Sequence, residues 1–115
     1  MNISRFSMQT SMDTAIQVLV PSGILDSTQA AEVRTQVSEA LATGAKTLLI
    51  DLKDTTFIDS SGLGTLISVL KKVRSQGCEM VVCSASPQVK MLFELTSMDQ
   101  VFQIYEDRAA FDAAL

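Results

Sequence analysis

Apolar residues alternate with smaller or polar ones along the first clearly patterned segment of the chain. Ile16, Val18 and Val20 occupy every second position, and Pro21 and Gly23 follow them. A period of two residues predicts a β-strand, which the proline and the glycine end. The preceding residues 4–12 (SRFSMQTSM) predict an edge strand that pairs with this strand.

Apolar residues at helical spacing predict two long helices in the middle of the chain. The first covers residues 26–44; Asp26 or Ser27 can cap its start, and Gly44 stands where a left-handed terminating residue belongs. The second runs from about Ser61 to Gln76. Its predicted buried stripe consists of Leu63, Leu66, Ile67, Leu70 and Val73.

Two further helices are predicted nearer the C-terminus. Ser86 and Pro87 are the N-cap and first-turn pair expected at a helix start, so we predict a helix over residues 86–96. Residues 106–115 have the pattern of a last amphipathic helix. Met80, Met91 and Met98 are predicted to fill the core, although residues 91–98 could also supply an adaptable contact surface.

Short apolar segments separate these helices: residues 46–52 (KTLLIDL), 78–84 (CEMVVCS) and 101–105 (VFQIY). The first is apolar almost throughout, as in strands that are covered on both faces of a parallel sheet. Strands joined by helices of this length imply right-handed crossovers. We therefore predict an α/β fold with a mainly parallel sheet, crossover helices and an antiparallel N-terminal edge strand, formed by residues 1–115 as a single domain.

Composition narrows the choice of partners. The chain is 47% hydrophobic and 19% charged, which favours a folded globule, and its net charge of −4 disfavours nucleic acid as a partner. No apolar run approaches the roughly 20 residues that cross a bilayer, and the N-terminus lacks the pattern of a signal peptide. A cytoplasmic protein without a membrane partner is expected. Lys71, Lys72 and Arg74 are interpreted as a solvated helix face.

The absence of histidine restricts the possible chemistry most strongly. It excludes a Ser–His–Asp triad, a Cys–His pair and every His-ligated metal site within the chain. Cys78 and Cys83 stand about 16 Å apart on an extended chain, too far for a disulfide, so both are expected to be free thiols. A nucleophilic Cys83 would lack an obvious activator. Lysine-based or carboxylate catalysis remains possible on these grounds, but we expect no catalytic residue, metal or cofactor.

The stretch FIDSSGLG, residues 57–64, combines polar residues and glycines at a predicted helix start. Ser60 could be an ordinary helix N-cap. Gly62 and Gly64 each disfavour a helix, however, and would leave bare backbone near the helix N-terminus for an anion or another protein. The stretch lacks both the lysine of a P-loop and the Gly-x-Ser-x-Gly pattern of a nucleophile elbow. The remaining interpretation is a serine that another enzyme modifies.

This stretch resembles a known family. FIDSSGLGTL, with GILDSTQAAEV upstream and VVCSASPQVKMLFELTSMDQVFQIYED downstream, is similar to the STAS-domain anti-sigma factor antagonists of bacteria. The resemblance implies that Ser60 is the serine phosphorylated by an anti-sigma factor that is itself a serine kinase. It also implies that Asp26 lies beside this serine. The partner-binding residues it implies are Asp26, Ser27, Asp59, Ser61, Gly62, Leu63 and Gly64, with Thr55 and Thr56 as further candidates.

The family also implies how such a protein would act. The unphosphorylated form would bind the anti-sigma factor and release the sigma factor, and a PP2C-type phosphatase would reset the phosphorylated form. The protein itself would not be an enzyme, and it would be a monomer or a weak dimer. Two alternatives stay open: a receiver-like domain phosphorylated on Asp51 or Asp54, and a STAS protein of a pathway without a sigma factor.

Overall fold

The computed structural model describes residues 7–10 and 15–115, of which residues 7–10 are described by their backbone alone. Five strands form the main sheet in the order β1-β2-β4-β6-β7. Strand β1 (Ser7–Thr10) is antiparallel to β2 (Ile16–Val20), whereas β4 (Thr47–Asp51), β6 (Glu79–Cys83) and β7 (Gln103–Tyr105) continue the sheet in parallel. The prediction of a mainly parallel sheet with an antiparallel N-terminal edge is confirmed. The rest of the predicted edge strand lies outside the described residues.

A second, two-stranded parallel sheet consists of β3 (Gly23–Leu25) and β5 (Thr55–Ile58). The sequence did not predict these strands as separate elements. Asp26 follows β3 and Asp59 follows β5, so both aspartates lie directly after strands of this small sheet. The Gly23 N–H donates to the Asp54 carbonyl at 3.0 Å at the start of this small sheet. The buried Thr55 hydroxyl donates to the carbonyl of Pro21, the residue after β2, at 3.0 Å and so joins the small sheet to the end of β2.

The described residues form four α-helices and two short 3₁₀ helices, which connect the strands except for the last α-helix, which follows β7. The α-helices are α1 (Ala30–Ala42), α2 (Ser60–Ser75), α3 (Pro87–Leu95) and α4 (Arg108–Ala113), and the 3₁₀ helices cover Ser27–Gln29 and Met98–Gln100. The predicted start of α3 is confirmed, because Ser86 accepts a hydrogen bond from the Val89 N–H at 3.2 Å and Pro87 is the first helical residue. Gly44 follows α1 with a φ of 95°, as predicted for a terminating residue.

The main core lies between the sheet and helices α1, α2 and α3. The predicted stripe of α2 packs there: Leu63, Leu66, Leu70 and Val73 are buried, with Ile67 partly buried. A smaller cluster on the opposite face of the sheet includes Leu49, Cys83 and Phe111 of α4. No helix within the described residues is long and apolar enough to cross a membrane.

Two predictions about side chains need correction. Met80 is buried, but Met91 is 60% exposed and does not fill the core. The basic cluster of α2 is exposed but not simply solvated, because the Lys72 ammonium donates to the Ser38 hydroxyl at 2.6 Å and the Arg74 guanidinium donates to the Val101 carbonyl at 2.9 Å. These contacts connect α2 to α1 and to the segment before β7.

Candidate functional site

The stretch FIDSSGLG forms the end of β5 and the first turn of α2. Asp59 is the N-cap of this helix, and its carboxylate accepts a hydrogen bond from the Gly62 N–H at 2.8 Å. Ser60 is therefore the first helical residue and not the cap, which corrects both the ordinary N-cap interpretation and the predicted helix start at Ser61. Since Asp59 makes the capping bond, the exposed Ser60 side chain is not required for it.

A second turn follows β3 in the same way. Asp26 caps the 3₁₀ helix Ser27–Gln29, and its carboxylate accepts hydrogen bonds from the backbone N–H and the hydroxyl of Thr28. Asp26 is half-buried, whereas Ser27 and Thr28 are exposed. The α-helix α1 begins only at Ala30, so Asp26 caps the short 3₁₀ helix before it and not α1 itself.

The small sheet brings these two turns together. Leu25 and Ile58 are paired in its parallel register, so Asp26 and Asp59 follow directly from neighbouring strands. Such strands lie about 4.8 Å apart. The Asp59 N–H also donates to the Leu25 carbonyl at 3.2 Å, which continues the pairing one residue beyond β5. The exposed serine at the start of α2 is thus held beside the Asp26 turn.

Gly62 permits this close approach. A Cβ at this position would lie 2.0 Å from the carbonyl oxygen of Leu25 and 2.7 Å from its carbonyl carbon. The absence of a side chain at Gly62 therefore serves contact within the protein, not the approach of a partner. Leu63 is 9% exposed and belongs to the main core. The expectation that Gly62 and Leu63 contact a partner directly is corrected accordingly.

Gly64 leaves bare backbone accessible at the surface, as was predicted for both Gly62 and Gly64. It is exposed, and a Cβ built on it meets no heavy atom within 4 Å. Ser61 is exposed as well. Of the two further threonine candidates, Thr56 is exposed, but Thr55 is buried against the Pro21 carbonyl and is not available to a partner. The accessible part of the predicted surface is therefore Ser27, Thr56, Ser60, Ser61 and Gly64, with the half-buried Asp26 and Asp59.

Gln29 supports the Asp26 turn and was not identified from the sequence. Its side chain is 2% exposed, and its amide nitrogen donates to the Ile24 carbonyl at 2.6 Å and to the Ser22 carbonyl at 3.4 Å. The amide thus connects the start of the helical segment to the middle residue of β3 and to the residue that precedes this strand. A glutamine among polar helix residues carries no sequence signal for such a role, because only the burial of its side chain reveals it.

The residues considered for other kinds of chemistry are poorly placed for it. Asp51, one of the two aspartates considered for a receiver-like domain, is 4% exposed, and its carboxylate accepts the Lys53 N–H at 3.0 Å. Cys83 is a buried free thiol, and burial raises its pKa to about 11, which disfavours the nucleophilic thiolate. Cys78 is also a free thiol, as predicted. Within the described ranges, no group of three or more Cys, Asp or Glu residues could hold a metal ion.

Comparison with known proteins gives a consistent result. The anti-sigma F factor antagonist of Paenibacillus polymyxa is 33% identical over 87 residues, which are 75% of this chain and 74% of that relative. The crystal structure of TM1081 from Thermotoga maritima has a TM-score of 0.80 at 25% identity and covers 90% of this chain and 88% of that one.

The fold is also that of SpoIIAA. Its unphosphorylated form matches with a TM-score of 0.76 at 19% identity, covering 95% of both chains, and the phosphorylated form from Bacillus matches with a TM-score of 0.71 at 18% identity, covering 96% of this chain and 99% of that one. The model of the STAS domain family matches residues 7–110. Since that match spans most of the chain and a relative of this family exceeds 30% identity over three quarters of it, the protein belongs to the STAS domain family.

Proposed function

We propose that this protein is an anti-sigma factor antagonist whose unphosphorylated form binds an anti-sigma factor, and that phosphorylation of Ser60 by this anti-sigma factor, a serine kinase, stops binding. The single observation that carries the proposal is the exposed Ser60 at the first position of α2, beside the Asp26 turn. The name of the Paenibacillus relative supports the choice of partner. The protein acts by binding and not as an enzyme.

The charge around Ser60 supports an electrostatic switch. A phosphoserine carries about −1.5 to −2 charges, and it would be added to a surface that already has Asp26 and Asp59. The N-terminus of α2 stabilises a negative charge by about 0.3–1 kcal/mol, so the fold tolerates the phosphate. Against a partner carboxylate about 6 Å away, the repulsion is on the order of 1–5 kcal/mol, depending on the dielectric.

This repulsion is large enough to control binding without refolding, since about 1.4 kcal/mol changes an affinity tenfold. Ser27, Thr56, Ser61 and Gly64 form the accessible remainder of the proposed binding surface. A PP2C-type phosphatase removes the phosphate, and the switch operates in the cytoplasm. Residues 1–115 act as a single domain, and the protein is a monomer or a weak dimer. Neither a metal nor a cofactor takes part in the protein's own function.

The test uses the purified protein, ATP and each serine-kinase anti-sigma factor of the host, produced separately. We expect one of them to transfer a single phosphoryl group to Ser60, located by intact mass and site mapping. Ser60→Ala should abolish the transfer. Ser61→Ala is the matched control, because Ser61 is a neighbouring exposed serine, and it should remain a substrate. Transfer to Ser61, or to an aspartate as an acid-labile acyl phosphate, would contradict the assignment of Ser60.

Binding is measured separately. Ser60→Asp should bind the kinase at least about tenfold more weakly than Ser60→Ala, with nearly unchanged circular dichroism. Equal affinities of the two variants would refute the electrostatic switch. If no anti-sigma factor of the host bound the unphosphorylated protein, the alternative of a STAS protein in a pathway without a sigma factor would replace the proposal.

A further inference from the structure

An apolar groove lies between the small sheet and helix α3. Its volume is about 460 Å³, and its lining is almost entirely apolar: Phe57, Pro87, Gln88, Met91, Leu92 and Leu95. Met91 is 60% exposed and Leu95 is 78% exposed. These are large apolar side chains, and their clustering in one groove distinguishes them from the scattered apolar residues of an ordinary surface.

Helix α3 has two apolar faces, and the core uses only one of them. Val89 and Phe93 are buried in the main core. Pro87, Met91 and Leu95 follow each other at intervals of four residues, so they form a second stripe along the helix. A helix that is apolar on more than its core-facing side is expected to have a second packing partner. The described residues of this chain do not cover the second stripe of α3.

The small sheet continues the groove toward the Asp26 turn. Phe57 of β5 lines the groove and is 42% exposed, and its partner in the parallel register is Ile24 of β3, which is 52% exposed. Leu25 and Ile58, the next residues of these strands, are buried. The same two strands therefore present apolar side chains outward and then lead into the Asp26 and Asp59 turns.

The groove and the serine site consequently belong to one continuous surface. Phe57 precedes Ser60 by three residues, and Pro87 lies at the N-terminal end of α3. Because Phe57 lines the groove and three residues of chain span at most about 10 Å, the Phe57 side of the groove lies within about 10 Å of the start of α2 along the chain. A protein that contacts Ser60 with a surface of ordinary size therefore extends over the groove.

The area of the apolar patch favours a partner that also covers the serine. A stable interface needs about 800 Å² from each partner, which is more than the six residues of the groove supply. The polar surface around Ser60 supplies an adjoining area of the kind that forms the rim of an interface.

A second copy of this chain fits this surface less well. A two-fold interface uses the same patch on both subunits. Asp26 and Asp59 of both copies would then border one interface, in a chain whose net charge is already −4. A different protein avoids this duplication of the acidic turns at one interface, since like charges placed against each other disfavour binding.

We propose that the groove between β5 and α3 is the apolar half of the docking surface for the anti-sigma factor that phosphorylates Ser60, and that it receives an apolar segment of that protein. This inference rests on the proposed function. It adds that affinity arises mainly at the groove, whereas the phosphate on Ser60 controls whether the two surfaces can meet. Phe57, Met91 and Leu95 are the residues we expect to contribute most to binding.

The test is a double substitution, Met91→Gln with Leu95→Gln, titrated with the purified anti-sigma factor that phosphorylates the wild-type protein. Glutamine has a helix propensity similar to that of the residues it replaces, and both side chains are exposed, so the fold should be retained. The matched control is Leu115→Gln, because Leu115 is 74% exposed and does not line the groove. We expect binding of the double variant to weaken by about tenfold or more, and that of the control to stay unchanged.

The outcomes separate this inference from the proposed function. If the anti-sigma factor binds the wild-type protein and the double variant equally, the groove proposal is wrong while the proposed function stands. If the anti-sigma factor binds neither the wild-type protein nor the double variant, the proposed function itself is wrong. A wild-type dimer in sedimentation experiments that the double variant abolishes would assign the groove to a second copy. An apolar compound that copurifies with the wild-type protein, seen by native mass spectrometry, would assign it to a small ligand; either result overturns the proposal.

Discussion

The two glycines of the FIDSSGLG stretch should respond oppositely to the same substitution. Gly62 lies against the backbone of β3, whereas Gly64 faces open space. Both belong to the first turns of α2, where alanine is intrinsically the better helix former. Replacing each by alanine therefore adds the same methyl group to the same helix. Only the surroundings of the methyl group differ.

The structure gives the size of the effect at Gly62. The new Cβ would lie 2.0 Å from the carbonyl oxygen of Leu25, and an unstrained carbon–oxygen contact needs about 3.3 Å or more. The start of α2 must therefore move by roughly 1 Å from β3, since a backbone carbonyl cannot rotate away as a side chain can. Overpacking costs about 1–3 kcal/mol, and weakening the hydrogen bond from Asp59 to Leu25 costs about 1 kcal/mol more.

After the gain in helix propensity of up to about 1 kcal/mol is subtracted, Gly62→Ala should destabilise the protein by about 2 kcal/mol, and Gly64→Ala should stabilise it by up to about 1 kcal/mol. Urea denaturation followed by circular dichroism measures both changes in the free energy of unfolding. For a domain of this size, the two melting temperatures should differ by on the order of 15 °C. Equal stabilities of the two variants would show that β3 and α2 do not meet as described.

Three other substitutions test the site and the core. Asp59→Ala should lower the free energy of unfolding by about 1 kcal/mol in urea denaturation, because it removes the cap of α2; no change would contradict the capping bond. Burial raises the pKa of the Cys83 thiol from 9.0 to about 11. The unfolded chain therefore loses the thiol proton at a lower pH than the folded protein does, and the free energy of unfolding should fall as the pH rises from about 9 to 11. Cys83→Ala should remove up to about 3 kcal/mol of that fall and Cys78→Ala should not, as measured by urea denaturation across this pH range. In the native protein a thiol reagent at pH 8 should modify Cys78 much faster than Cys83, and equal rates would contradict the burial of Cys83.

Local patterns predicted most of the helices and the main sheet. Alternation over residues 16–20, the near-continuous apolar run of β4 and the Ser86–Pro87 helix start depend on neighbouring residues alone, and all three predictions are confirmed. The small sheet was missed because β3 has three residues and β5 has four, too few for a clear period. Its pairing also joins segments about 30 residues apart in the chain.

Local sequence patterns also left parts of the candidate site undetermined. The motif indicated that Ser60 stands near a helix start, but it did not distinguish the capping residue from the first helical residue. Gly62 and Gly64 are identical in the sequence, yet one is in contact with Leu25 and the other is open. Ile24 and Phe57 were not identified as surface residues, because an apolar residue in a strand is usually assigned to the core.

The sequence by itself determined the α/β class and the exclusion of histidine-dependent chemistry, because these depend on residue type and local spacing, and its resemblance to the STAS family determined the choice of Ser60 as the residue to test. Only the tertiary structure decided that the Asp26 and Asp59 turns lie side by side, that Gly62 serves this contact and that α3 leaves an apolar face uncovered. These features arise where distant segments pack together, and the distance between two residues in space is not contained in the pattern of either segment.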